Sequence, residues 1–158
     1  MDGHVSSIHF LLVDDEEIYI QTIAERLRLK GFIADISFSG NEALSQLEIC
    51  DTIDIVVLDI QMPDQDGISI LKKIKEKYPL VEVIMLTGHA TIQSAADAIK
   101  CGAFDYLVKP CGMDELLEKA KSAVSRKRYR EEKIGIVKLK PYITDREKEK
   151  LISKILEG

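Results

Sequence analysis

Four apolar runs in this chain each end abruptly in residues able to do chemistry. IHFLLV (8–13) leads into Asp14-Asp15-Glu16, IDIVVL (53–58) into Asp59, VEVIML (81–86) into Thr87-Gly88, and FDYLV (104–108) into Lys109-Pro110. An acid at the lip of a buried strand is costly to ionise unless something compensates it. A carboxylate so placed can act as a nucleophile toward phosphorus, giving an aspartyl phosphate. That chemistry asks mainly for neutralisation of the transferring group by a metal and a fixed cation. Asp59 can be the nucleophile and Lys109 the cation. Thr87 can donate its hydroxyl to a phosphoryl oxygen, and Gly88 leaves room beside it.

The acids constrain one another. If the first and third runs are neighbouring strands, Asp14, Asp15 and Asp59 converge. Two like charges about 4 Å apart repel by about 4 kcal/mol at an effective dielectric of about 20. Such a cluster takes up protons, binds a cation or stays apart. Hard oxygen donors favour magnesium, which accepts one or two carboxylates and keeps waters for a phosphate to displace. Each residue taken singly has a plainer reading: Asp14 and Asp15 as acids at a helix N-terminus, Lys109 as a snorkelling lysine, Thr87 as a strand-end hydroxyl satisfied by water. In MPDQDG (62–67), Pro63 and Gly67 fit a turn, which makes Asp64 and Asp66 solvated turn formers.

The elements that must position these residues alternate. Besides the four runs, FIADISF (32–38) reads as a strand, and the near-continuous apolar character suits a parallel sheet covered on both faces. Between the strands the period becomes helical: Ile20, Ile23, Ala24 and Leu27; then Leu71, Ile74 and Tyr78, with Lys72, Lys73, Lys75, Glu76 and Lys77 facing water. Ile92, Ala95, Ala96 and Ile99 draw a fourth helix, and Met113, Leu116, Leu117, Ala120 and Val124 a fifth. Ser39-Gly40-Asn41-Glu42 predicts a capping box for the second, ahead of Ala43, Leu44 and Leu47. Gly31, Pro79 and Gly102 stand where helices should stop. Five such units predict an open, doubly wound (βα)5 fold of flavodoxin-like strand order 2-1-3-4-5. Ligands of such sheets bind beyond the carboxyl ends of the strands, where all the candidate residues fall.

Composition narrows the classes. Of 158 residues 46 % are hydrophobic, enough for one sizeable core. No apolar run approaches the ~20 residues that cross a bilayer, and no cleavable signal opens the chain, so a cytoplasmic protein without membrane contact is expected. A net charge of −5 disfavours direct nucleic-acid binding, and RKRYR (126–130) reads as a solvated helix end. Cys50, Cys101 and Cys111 show neither a disulfide pattern nor zinc spacing.

The ordered set Asp14-Asp15, LDIQMPDQDG with Asp59, MLTGHA with Thr87 and GAFDYLVKP with Lys109 resembles the receiver domain of bacterial response regulators. GAFDYLVKP also resembles the receivers of enhancer-dependent transcriptional activators. The likeness runs from about residue 8 to about 126. It implies that Asp59 is the phosphoacceptor, served by a sensor histidine kinase or a histidine phosphotransfer protein. It implies Mg²⁺ held by Asp15, Asp59 and the Gln61 backbone carbonyl, with Asp14 acting through water. Thr87 and Lys109 would bind phosphoryl oxygens, and Tyr106 would be an aromatic switch turning inward as Thr87 moves. The Lys109–Pro110 bond would be cis. Gln61 and His89 occupy positions that in the family influence the phosphate's lifetime. The surface of the fourth helix, fifth strand and fifth helix would change on phosphorylation and could carry a homodimer. Autodephosphorylation would be the chain's only catalytic activity.

A receiver over 1–130 is therefore expected, with a C-terminal extension over 131–158. EEKIGIVKLKPYI lacks a clear period, whereas Thr144-Asp145-Arg146-Glu147 predicts a capped short helix bearing Leu151, Ile152, Ile155 and Leu156. The finished look of that helix end favours a stand-alone receiver over the N-terminal piece of a longer transcriptional regulator. An aspartyl-phosphate phosphatase is disfavoured because Asp59-Ile60-Gln61 offers no second acid. A nucleotide or flavin module would want glycines after the first strand, where the chain has acids. A switch-dead adaptor would have lost one of the key groups, and none is lost.

Overall fold

Every central strand is apolar on both faces, so each must be covered on both sides. The computed structural model describes residues 8–63, 65–88 and 92–158, the side chain of Ile92 excepted. Five strands form one parallel sheet: β1 (His9–Val13), β2 (Ile33–Ser37), β3 (Ile55–Asp59), β4 (Glu82–Thr87) and β5 (Asp105–Val108). Their spatial order is β2-β1-β3-β4-β5, the flavodoxin-like order that the alternating pattern predicts. A two-stranded ribbon, Gln61–Met62 with Gln65–Asp66, lies outside this sheet just after β3.

Strand residues alternate between two cores. Phe10, Leu12, Ile55, Val57, Ile84 and Leu86 pack beneath α1 (Glu17–Leu29) and α5 (Met113–Lys138). Leu11, Val13, Val56, Leu58, Val83 and Met85 face α2 (Gly40–Ile49), α3 (Gly67–Lys77) and α4 (Ile92–Lys100). The period-two alternation of a strand thus assigns each helix to a side. Ile20, Ile23, Ala24 and Leu27 are all buried, as their spacing predicts. Ser39 caps α2 by accepting from the Glu42 amide at 3.2 Å, while Glu42 accepts in return from the Phe38 amide. Gly31 and Gly102 close their helices at φ +94° and +105°, where a side chain would be strained.

Three sequence expectations are corrected. On α4, among the described side chains, Ala98 is buried and Ile99 is 46 % exposed, so Ile99 does not lie on the buried face as its spacing predicts. Lys75 does not face water: it donates to the Pro79 and Val81 carbonyls. Asp66 is exposed, as expected of a solvated turn residue, and it also caps α3 by accepting from the Ile68 amide at 3.1 Å. Asp64 and His89 lie outside the described residues.

The third correction concerns RKRYR, which is no helix end. α5 continues as one helix to Lys138 because Arg130, Ile134 and Val137 bury a second stripe along it. Arg126 forms a two-pronged bond to Glu82, 2.6 Å on each arm, and Glu82 is wholly buried at the foot of β4. Lys75 at 3.7 Å and Arg130 at 4.0 Å crowd the same carboxylate. Past a short connection, α6 (Asp145–Glu157) turns back along α5. Thr144 caps it through the Glu147 amide, and Lys148 donates to the Lys138 carbonyl. None of its residues is fully buried; Leu151, Ile152, Ile155 and Leu156 are half-covered.

Candidate functional site

Parallel strands in register deliver their last residues to one rim. Asp59 and Thr87 prove to be the terminal residues of β3 and β4, still inside the sheet and 3 % and 1 % exposed. Asp14 follows β1 directly, fixed by its own amide donating to the Ser37 carbonyl, and is wholly buried. Asp15 remains solvent-accessible beside it. Carboxylate oxygens of Asp14, Asp15 and Asp59 all lie within 4.8 Å of one another, so the convergence expected from neighbouring strands is real.

Local turns aim these side chains. The Glu16 amide donates to Asp14 Oδ1 at 2.9 Å, and the Gln61 amide to Asp59 Oδ1 at 3.1 Å. Behind Asp59 the chain is pinned by Ile60 donating to Leu86 and by Gly67 donating to Ile60. Gly67 is required there: a β-carbon would sit 2.5 Å from the Asp59 carbonyl oxygen and 2.7 Å from Ile60 backbone atoms. Sequence reasoning took this glycine only for a turn former, and nothing local to MPDQDG reveals the close approach.

Lys109 enters from the end of β5, its amide bonded to the Thr87 carbonyl at 2.7 Å, ahead of a cis bond to Pro110. Its ammonium lies 2.7 Å from Asp14, 2.6 Å from Glu16 and 3.5 Å from Asp59, and 5.1 Å above the Tyr19 ring. Glu16 is a member that sequence reasoning missed. It was quoted as part of an acidic run, and no spacing rule connects it to Lys109. Tyr106 is half-buried on β5 against the core shared by α2, α3 and α4.

The electrostatics follow from this crowding. Burial, with Asp14 beside it, pushes the Asp59 carboxyl up to about 6, against the pull of the Gln61 amide and Lys109. Burial alone would lower the Lys109 ammonium, but its bonds to Asp14 and Glu16 outweigh that and hold it above its ordinary value. Burial also raises Tyr19 to about 12, aided by the neighbouring Cys111 thiol. An acid that resists ionisation because it is buried and because another acid adjoins it is relieved by a cation. The three carboxylates, all hard oxygen donors, therefore fit a divalent ion such as Mg²⁺.

Residues 10–121 match the family model described as the response regulator receiver domain. The chain belongs to that family. An NtrX-like response regulator of Rickettsia felis is 38 % identical to this receiver over 134 residues, covering 84 % of this chain and 28 % of the relative. The solution structure of the beryllofluoride-activated NtrC4 receiver domain dimer superposes with a TM-score of 0.71 at 34 % identity, over 75 % of this chain and 98 % of that one. The crystal structure of NtrX from Brucella abortus gives a TM-score of 0.76 at 28 % identity, over 94 % of this chain and 33 % of that one. The receiver thus spans about a quarter of the length of the curated relatives it matches. Among the described residues, no helix is long and apolar enough to cross a membrane.

Proposed function

We propose that this receiver is a phosphorylation switch in which Asp59 accepts a phosphoryl group from a phosphohistidine on a sensor kinase or phosphotransfer protein. The observation that carries the reading is a nearly buried carboxylate at a strand end, with two acids within 4.8 Å and an ammonium at 3.5 Å. Asp59 would form the new O–P bond as the P–N bond to the donor imidazole breaks, and the bonding pair would return to that nitrogen. Thr87 and Lys109 would hold the phosphoryl oxygens. Asp14, Asp15, Asp59 and the Gln61 carbonyl would hold Mg²⁺, which when bound neutralises charge on the acids and the incoming group.

Adding about two negative charges at the rim gives Thr87 and Lys109 a new partner. Tyr106, on the strand that leads into Lys109, would report that change to the surface of α4, β5 and α5. That surface would bind a partner or a second copy of the chain, within a cytoplasmic signalling pathway. Slow hydrolysis of the acyl phosphate would reset the switch. The receiver proper would be residues 1–130, with 131–158 an extension carrying the remainder of α5 and all of α6, and with no direct contact to nucleic acid.

Beryllofluoride with Mg²⁺ tests the reading. Amide NMR spectra of the wild type should shift around Asp59, Thr87 and Lys109, and those of Asp59→Asn should not. A small phosphodonor should add phosphate mass to the wild type alone. Identical spectra for the two proteins, with no mass gained by either, would sink the proposal.

A further inference from the structure

The Lys109 ammonium donates to Glu16 at 2.6 Å and to Asp59 at 3.5 Å, and lies at ion-pair distance, 2.7 Å, from Asp14. A phosphoryl oxygen on Asp59 would compete for this ammonium with the carboxylates around it, and the shortest hydrogen bond it meets there is the one to Glu16. Asp14 is wholly buried, and Asp59 is the acceptor itself. Glu16 differs from both: its side chain is 62 % exposed and can rotate into water, where an ion pair is worth little.

The local structure shows that Glu16 is committed to Lys109 and not to its helix. It occupies the N-cap position of α1, where a polar side chain ordinarily accepts from the first-turn amides, yet it makes no such bond. Glu17, in the first turn, already opposes the helix dipole. The Asp14 turn that receives the Glu16 amide sets the direction of the chain at this point. The carboxylate then reaches across to a lysine 93 positions away, at 2.6 Å.

We infer that Glu16 is a latch, a positioning residue whose carboxylate occupies the Lys109 ammonium until a phosphoryl group displaces it. The inference rests on the phosphoacceptor reading of Asp59 and deepens it. In the resting state the latch satisfies Lys109. During phosphorylation it competes with the incoming anion for the Lys109 ammonium, so it raises the threshold at which the site fills.

The test uses the full chain with Mg²⁺ and beryllofluoride as probe, titrated into the wild type, Glu16→Gln, Glu16→Asp and Asp59→Asn. Glu16→Gln should tighten beryllofluoride binding by about threefold to tenfold, since it removes one competing charge a few ångströms from the anion. Glu16→Asp keeps the charge but is one methylene too short to span the gap, and should tighten binding as well. The affinity for Mg²⁺ alone should move less than that for beryllofluoride in both variants. Unchanged beryllofluoride affinity in Glu16→Gln overturns the latch. So does tightening in Glu16→Gln that Glu16→Asp fails to share, because that pattern marks general charge relief. The parent reading fails separately, if the wild type does not bind the probe or Asp59→Asn binds it equally.

Discussion

Replacing Asp59 by asparagine removes the proposed phosphoacceptor, and it is expected to make the fold more stable. Burial and the adjoining Asp14 push this carboxyl from its ordinary 3.8 up to about 6. The folded protein therefore holds the Asp59 proton more tightly than the unfolded chain does, and the group weakens the fold wherever it must ionise. Well below pH 3.8 both states are protonated and nothing is lost. The loss grows as pH rises and is complete above about 6, the folded value. At about 1.4 kcal/mol for each tenfold change in ionisation, it reaches about 3 kcal/mol at neutral pH. For a chain of this length that corresponds to roughly 6–12 °C in Tm. Asparagine keeps the shape without the charge. Urea unfolding of both proteins in chelator, from pH 4 to 8, reads the difference directly. Asp59→Asn should gain little at pH 4 and most above pH 6. Equal stability at pH 7, or a difference independent of pH, would refute the electrostatic account of the site.

Three further outcomes follow from other contacts. Glu82→Ala strands Lys75, Arg126 and Arg130 around an empty position, and should cost about 3–5 kcal/mol by urea unfolding while Asp59 still answers to beryllofluoride. Gly67→Ala forces a methyl against the Asp59 carbonyl and Ile60 backbone, so it should lose about 1–3 kcal/mol and also weaken beryllofluoride binding in a titration. Removing residues 140–158 takes away α6, which packs along α5 and bonds the Lys138 carbonyl through Lys148, and circular dichroism should show the end of α5 fraying beyond the loss of α6 itself, with the Asp59 site intact.

Much of the site was legible because strand ends are readable. An apolar run that stops at Asp59, Thr87 or Lys109 announces both a buried strand and the rim where it terminates, and parallel order brings those rims together. Helical spacing was equally plain where one face packs on the sheet, as at Ile20, Ile23, Ala24 and Leu27. It misled on α4, where small alanines blur the boundary between faces and Ala98 takes the buried place. It failed on α5, where the stripe through Arg130, Ile134 and Val137 begins with a charged residue. A buried arginine looks like a surface one until its counter-ion is known.

The sequence by itself therefore determined the (βα)5 order, the placing of Asp14, Asp15, Asp59, Thr87 and Lys109 at strand ends, and membership of the receiver family, since these depend on local hydrophobic period and on ordered motifs. Tertiary structure alone decided which charges meet. Glu82 finds Arg126 across 44 positions, and Lys109 finds Glu16 across 93. Gly67 meets the Asp59 carbonyl only because a ribbon folds the chain back on itself. Ion pairs and close approaches of this kind have no period. They arise when packing fixes two distant backbones, and the residue types on either side allow many partners before it does.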